Sequence, residues 1–95
     1  MLTHVVMFKL KERTQVLVDE TVAMLTSLEG VVPTLRRLEI GVDAIHTARS
    51  YDLVLIADFD DKEGLNAYMI HPEHLKVVEF LDQVMEPRIV VDFVS

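Results

Sequence analysis

The run Tyr68-Met69-Ile70-His71-Pro72-Glu73-His74 concentrates the residue types in this chain best suited to moving protons. Imidazole exchanges a proton near neutral pH, so His74 suits a general base in an aldol or isomerisation step. Six positions earlier, the Tyr68 phenol can donate to a developing oxyanion while its ring packs inward. A third candidate, His4, sits in an apolar segment where a polar group needs a partner, and an acid/base role facing a cavity is one use for it. Each has a plainer alternative. His74 also fits a residue of a first helical turn with a local hydrogen bond, Tyr68 a core tyrosine, and His4 a satisfied structural histidine. His71, just before a proline at a helix start, is best placed to cap free backbone N–H groups, which would make the HPxH run architectural. His46 lies in an irregular stretch and receives no role.

Other chemistries are poorly served. His71, Glu73 and His74 are metal-ligating types, but they straddle Pro72 and no further ligand follows at a recognisable spacing, so no metal is expected. The chain has no Gly-rich phosphate loop, no Ser-His-Asp pattern in a recognisable context and no basic stripe with interleaved aromatics, and no cofactor is expected. Nine Lys and Arg against sixteen Asp and Glu give a net charge of -7, which disfavours nucleic acid and anionic membrane surfaces as partners. The absence of cysteine rules out disulfides and thiolate chemistry and suits a reducing, cytoplasmic setting. The apolar opening, Met1 to Leu10, contains His4 and Lys9 and lacks a small-residue cleavage site, so it reads as a strand rather than a leader.

These residues need elements to hold them. Alternation over Thr3 to Lys11 predicts a strand with His4, Val6, Phe8 and Leu10 on one face and Val5 and Met7 on the other. A helix is expected over about Thr14 to Glu29, its inner stripe Val18, Val22, Leu25 and Leu28, closed by Gly30 and Pro33. Strands follow at Leu35 to Val42 and Tyr51 to Phe59, separated by an irregular stretch. Asp60 with Glu63 reads as a capping pair for a helix carrying Leu65, Tyr68 and Met69. Pro72 then breaks the helical region and starts a new helix with Leu75, Val78, Leu81 and Met85 inward, and Arg88 to Val94 is a last strand.

The order β-α-β-β-α-β defines an α+β, ferredoxin-like domain over residues 1–95: a four-stranded antiparallel sheet with its helices on one face. A chain of 95 residues buries only roughly 60 to 65% of its unfolded surface, yet 51% of these residues are hydrophobic. Both faces of the sheet read as apolar, and two helical regions cover only one. The other face is expected to close against a second copy, forming a homodimeric α/β barrel. His4 is expected on the face that demands this partner, so that dimerisation would help enclose the site.

The Tyr68 to His74 run, with the opening His4-Val5-Val6-Met7-Phe8-Lys9, the middle segments Glu39-Ile40-Gly41 and Tyr51 to Leu55, and the closing Val90 to Phe93, resembles the stress-responsive A/B barrel (Dabb) family. The resemblance spans nearly the whole chain, and its most specific part is YxxHPxH. It implies a ferredoxin-like subunit, a tight dimer through the sheets and a central cavity. That cavity is expected to take a small apolar or aromatic metabolite, with His71, Phe8 and Phe59 as ligand-binding positions. A plant polyketide cyclase of this family performs a cofactor-free aldol condensation. Its catalytic Tyr and His match Tyr68 and His74, and its first-strand His matches His4. Three functions stand open: a small-molecule-binding dimer, a cofactor-independent cyclase, lyase or monooxygenase, and a structural dimer of stress protection without a ligand.

Overall fold

The computed structural model describes residues 1–95. Its elements run β1 (Leu2–Phe8), α1 (Gln15–Thr26), β2 (Arg37–Val42), β3 (Leu53–Phe59), α2 (Lys62–Met69), α3 (Pro72–Val84) and β4 (Ile89–Val94). The strands form one antiparallel sheet in the order β2-β3-β1-β4. The split β-α-β-β-α-β arrangement is therefore present, its second helical region divided into α2 and α3.

Helix boundaries follow local chemistry. Thr14 caps α1, its side chain accepting from the Leu17 N–H, and Gly30 takes the left-handed conformation (φ 78°) that ends the turns after the helix. The cap of α2 is Asp61, one residue later than the sequence suggested: its carboxylate accepts from Gly64 N at 2.9 Å. Asp60 instead turns outward to meet Arg36. The two aspartates are adjacent, and sequence offers no way to choose between them. The inner stripe of α3 is also rotated from expectation. His74, Val77 and Leu81 are buried and Leu75 is exposed, because the apolar ridge of the helix is wide enough to admit either facing.

The sheet shows which of its faces the helices cover. On β3, Leu53, Leu55, Ala57 and Phe59 are buried against the helices, while Val54, Ile56 and Asp58 alternate with them on the open side. Register puts Leu2, His4, Val6 and Phe8 of β1 beside that buried row, and Val5 and Met7 on the open face. The core is a single cluster joining Val6, Phe8 and the buried row of β3 to Val18, Leu25 and Leu28 of the α1 region, Tyr68 of α2, and Val77 and Leu81 of α3. The β4 edge is the part of the sheet that the helices cover least, and all six of its residues are exposed.

On the open face, Ile89, Val91 and Phe93 of β4 lie in register with Met7, Val5 and Thr3, beside Val54 and Ile56. This apolar area ends at the β2 side, where Arg37 donates to both Asp58 and Glu39. The Arg37 guanidinium, aided by the Thr3 hydroxyl, holds the Asp58 carboxyl below its usual range.

Candidate active site at the helix break

Pro72 occupies the first position of α3, where its missing N–H costs nothing. The residue before a proline is pushed towards extended backbone, and His71 adopts it (φ -62°, ψ 135°). In that position His71 caps α3, its Nδ1 accepting from the Glu73 N–H at 3.1 Å. The break has a second consequence. The Met69 carbonyl at the end of α2 is left without its next helical turn, and the His74 side chain takes it at 3.1 Å through Nδ1. A carbonyl oxygen only accepts, so the His74 proton resides on Nδ1 and Nε2 keeps its lone pair.

His74 is buried. Burial pushes its pKa below the usual histidine value; the bond to the Met69 carbonyl opposes this, and charge on His4, Arg88 and His71 adds to the lowering. The imidazole is thus held neutral around pH 7, as a base must be before it accepts a proton. Tyr68 packs beside it at a tilt of 51°, ring centroids 4.3 Å apart, with Phe59 behind Tyr68 at 5.0 Å and His4 edge-on to it at 6.3 Å. Burial pushes the Tyr68 phenol up to about 12, so it remains a hydrogen-bond donor. Its hydroxyl has no hydrogen-bond partner in the chain. No polar side-chain atom fully sealed from solvent lacks one, so the 1% of Tyr68 still accessible includes that hydroxyl.

His4 stands on the helix-covered face, not on the face expected to seek a partner. Its enclosure therefore comes from this subunit's own helices; β1 is apolar on both sides, and alternation alone does not say which side they cover. Directly across the ladder lies Asp92 of β4, whose carboxylate accepts from His4 Nδ1 at 2.5 Å. Asp92 is not among the residues that the sequence singles out. The available signal was a lone acid in the apolar strand Ile89–Val94, but only the adjacency of β1 and β4 connects the two residues, 88 positions apart.

Between the sheet, α1 and α3 lies a cavity of about 80 Å³, ten of whose thirteen lining residues are hydrophobic. His4 and His74 line it together with Phe8, Met69, Val77, Leu81 and Val90. Tyr68, His71 and Phe59 do not: Tyr68 stands next to His4 and His74, Phe59 supports the Tyr68 ring from the core, and His71 is engaged in capping. No group of three or more His, Asp, Glu or Cys side chains is arranged to hold a metal ion. No helix is long and apolar enough to cross a membrane.

A family model described as "Stress Responsive A/B Barrel Domain" matches residues 2–95. A stress-response A/B barrel domain-containing protein of Arabidopsis thaliana, DABB1, is 32% identical over 97 residues, covering 97% of this chain and 46% of that protein. The chain thus spans about half the length of that curated relative. Among solved structures, a dimeric ferredoxin-like protein of unknown function from Thermobifida fusca superposes with a TM-score of 0.88 at 26% identity, covering 99% of this chain and 90% of that one. A hydroxynitrile lyase from Passiflora edulis superposes at 0.84 with 15% identity, covering 99% and 92%; at that identity the likeness is one of fold.

Proposed function

Because the chain belongs to the stress-responsive A/B barrel domain family, we propose that it works as a homodimer whose subunits each bind a small apolar or aromatic metabolite in the cavity beside His4, Tyr68 and His74. The observation that carries this reading is the cavity itself, an apolar space with a neutral imidazole on its wall and the Tyr68 ring packed behind its two histidines. Apolar walls with a few placed polar groups are the usual make-up of a small-ligand site. Phe8 supplies wall, Phe59 packs behind Tyr68, and His71 caps the helix turn that carries His74. The open sheet face, with Val91 and Phe93 about half exposed, supports pairing with a second copy. The lack of cysteine fits a cytoplasmic setting.

Methyl NMR against a panel of single-ring and short-chain compounds tests the binding reading. Shifts confined to Val77, Leu81 and Val90 are expected, and a panel that leaves these methyls unmoved removes it in favour of a purely structural dimer. Sedimentation at micromolar concentration tests the assembly; a stable monomer would overturn it.

A second reading, a cofactor-independent enzyme of the cyclase or lyase kind, is favoured by the His74 tautomer. Nε2 would take a proton from a carbon or hydroxyl of the bound molecule, the Tyr68 O–H would donate to the oxyanion that develops, and Asp92 would orient His4. No redox partner is required for such a proton transfer. An H74A variant that turns over an identified substrate at the unaltered rate would take His74 out of the mechanism.

A further inference from the structure

Three of the thirteen residues lining the cavity are polar: His4, His74 and Arg88. The two histidines are committed through Nδ1 to Asp92 and to the Met69 carbonyl. Arg88 is held far less firmly. Its one side-chain partner is Asp82, through a single Nη2 contact of 3.0 Å. The Asp82 side chain is 62% exposed and that of Arg88 only 27%. A pair whose acid lies in solvent contributes little, so water or a ligand can replace Asp82 at small cost.

Strand alternation explains why a cation is there at all. Val90 and Asp92 face the helix-covered side opposite Val6 and His4, and Arg88, two residues before Val90, shares that side. Pro87 fixes the backbone leading into it. A guanidinium at the rim of an apolar space offers a planar fork of N–H donors that matches one carboxylate. Asp82 pairs with Arg88 itself, Asp92 pairs with His4 of the same cavity, and the chain carries a net charge of -7, so a doubly charged phosphate would meet more repulsion than a single carboxylate.

We propose that Arg88 makes this cavity selective for small apolar molecules ending in a carboxylate, the carboxylate bound at the β4 rim and the apolar body lying against Val77, Leu81 and Val90. This specificity rests on the reading of the cavity as a ligand site. The influence of Arg88 on His74 is consistent with it: the Arg88 charge is one of the factors lowering the His74 pKa, and a bound carboxylate would offset that charge.

The test compares hexanoate with hexanamide, equal in length and different in charge, by methyl NMR titration of the full chain at pH 7. The unaltered protein should bind the acid about tenfold more tightly, the size expected of a charge-assisted pair. In Arg88→Leu the preference should fall to within about twofold with hexanamide affinity retained. Arg88→Gln, which keeps polarity and bulk, should lose the preference equally, separating loss of charge from misfolding. His74, followed through its ring resonances, should titrate at higher pH when hexanoate is bound. Equal binding of acid and amide would overturn the Arg88 assignment while leaving the cavity reading intact. A preference that survives both substitutions would also overturn it. If neither compound moves the lining methyls, the cavity reading falls and this inference with it.

Discussion

The two faces of the sheet are built from similar residues and have opposite fates. On the helix-covered side, Leu2, Val6, Phe8, Leu55, Ala57 and Phe59 are almost wholly buried, and the polar intruder His4 has Asp92 for a partner. On the open side, Met7, Ile89, Val91 and Phe93 are 42 to 57% exposed. Apolar side chains therefore do two different jobs in one sheet: one set stabilises the subunit and encloses the cavity, the other is left available for association. The histidine cluster belongs to the first set, so the proposed site is complete within one chain even if two chains pair.

The most direct way to sharpen this contrast is truncation on each face. Phe59→Ala removes a fully buried ring that supports Tyr68 and should cost about 3 to 5 kcal/mol in urea unfolding. Val91→Asp on the open face should leave the unfolding free energy of the isolated subunit within about 1 kcal/mol. It should weaken self-association by at least about a hundredfold, or about 2.8 kcal/mol, read by sedimentation. Equal losses of subunit stability in the two variants would break the comparison.

A smaller effect is expected at the helix break. His71→Ala deletes the cap on Glu73 N and should cost about 1 kcal/mol by the same unfolding measurement. It should also loosen the turn that aims His74.

The pH dependence of the covered face has a definite sign. The folded-state pKa of His74 is lowered, so below its ordinary value of 6.5 the unfolded chain binds more protons than the folded one. Its stabilising contribution is full above that pH and is lost as pH falls towards the folded-state value. Thermal unfolding from pH 8 to 5 should show the loss, and His74→Gln should flatten it; an unaltered slope would count against the neutral His74. Smallest of all is Tyr68→Phe. Its hydroxyl has no partner in the chain to lose, so stability should change by no more than about 0.5 kcal/mol, whereas ligand affinity or turnover should fall.

Much of this was legible in the chain. Alternation located all four strands to within two residues at each end, except that β1 stops three residues short, where only Leu10 continues as a bridge to Met85. The proline break was readable because the fixed ring of Pro72 acts on its immediate neighbours. The capping role of His71 followed from the same locality, while the choice of Asp61 over Asp60 turned on where the backbone enters α2, at Lys62, a boundary that two adjacent aspartates leave open.

The sequence by itself determined the order of elements, the apolar character of both sheet faces and the concentration of Tyr68, His71 and His74 around one proline break. Only the tertiary structure decided which face the helices cover, and with it that His4 joins His74 inside one subunit. Periodicities of two and 3.6 residues report that an element has sides, but not which side a distant helix will choose. The same limit hid the His4–Asp92 pair and the place of Arg88 on the cavity wall. Both depend on β4 laying itself beside β1, a pairing between opposite ends of the chain.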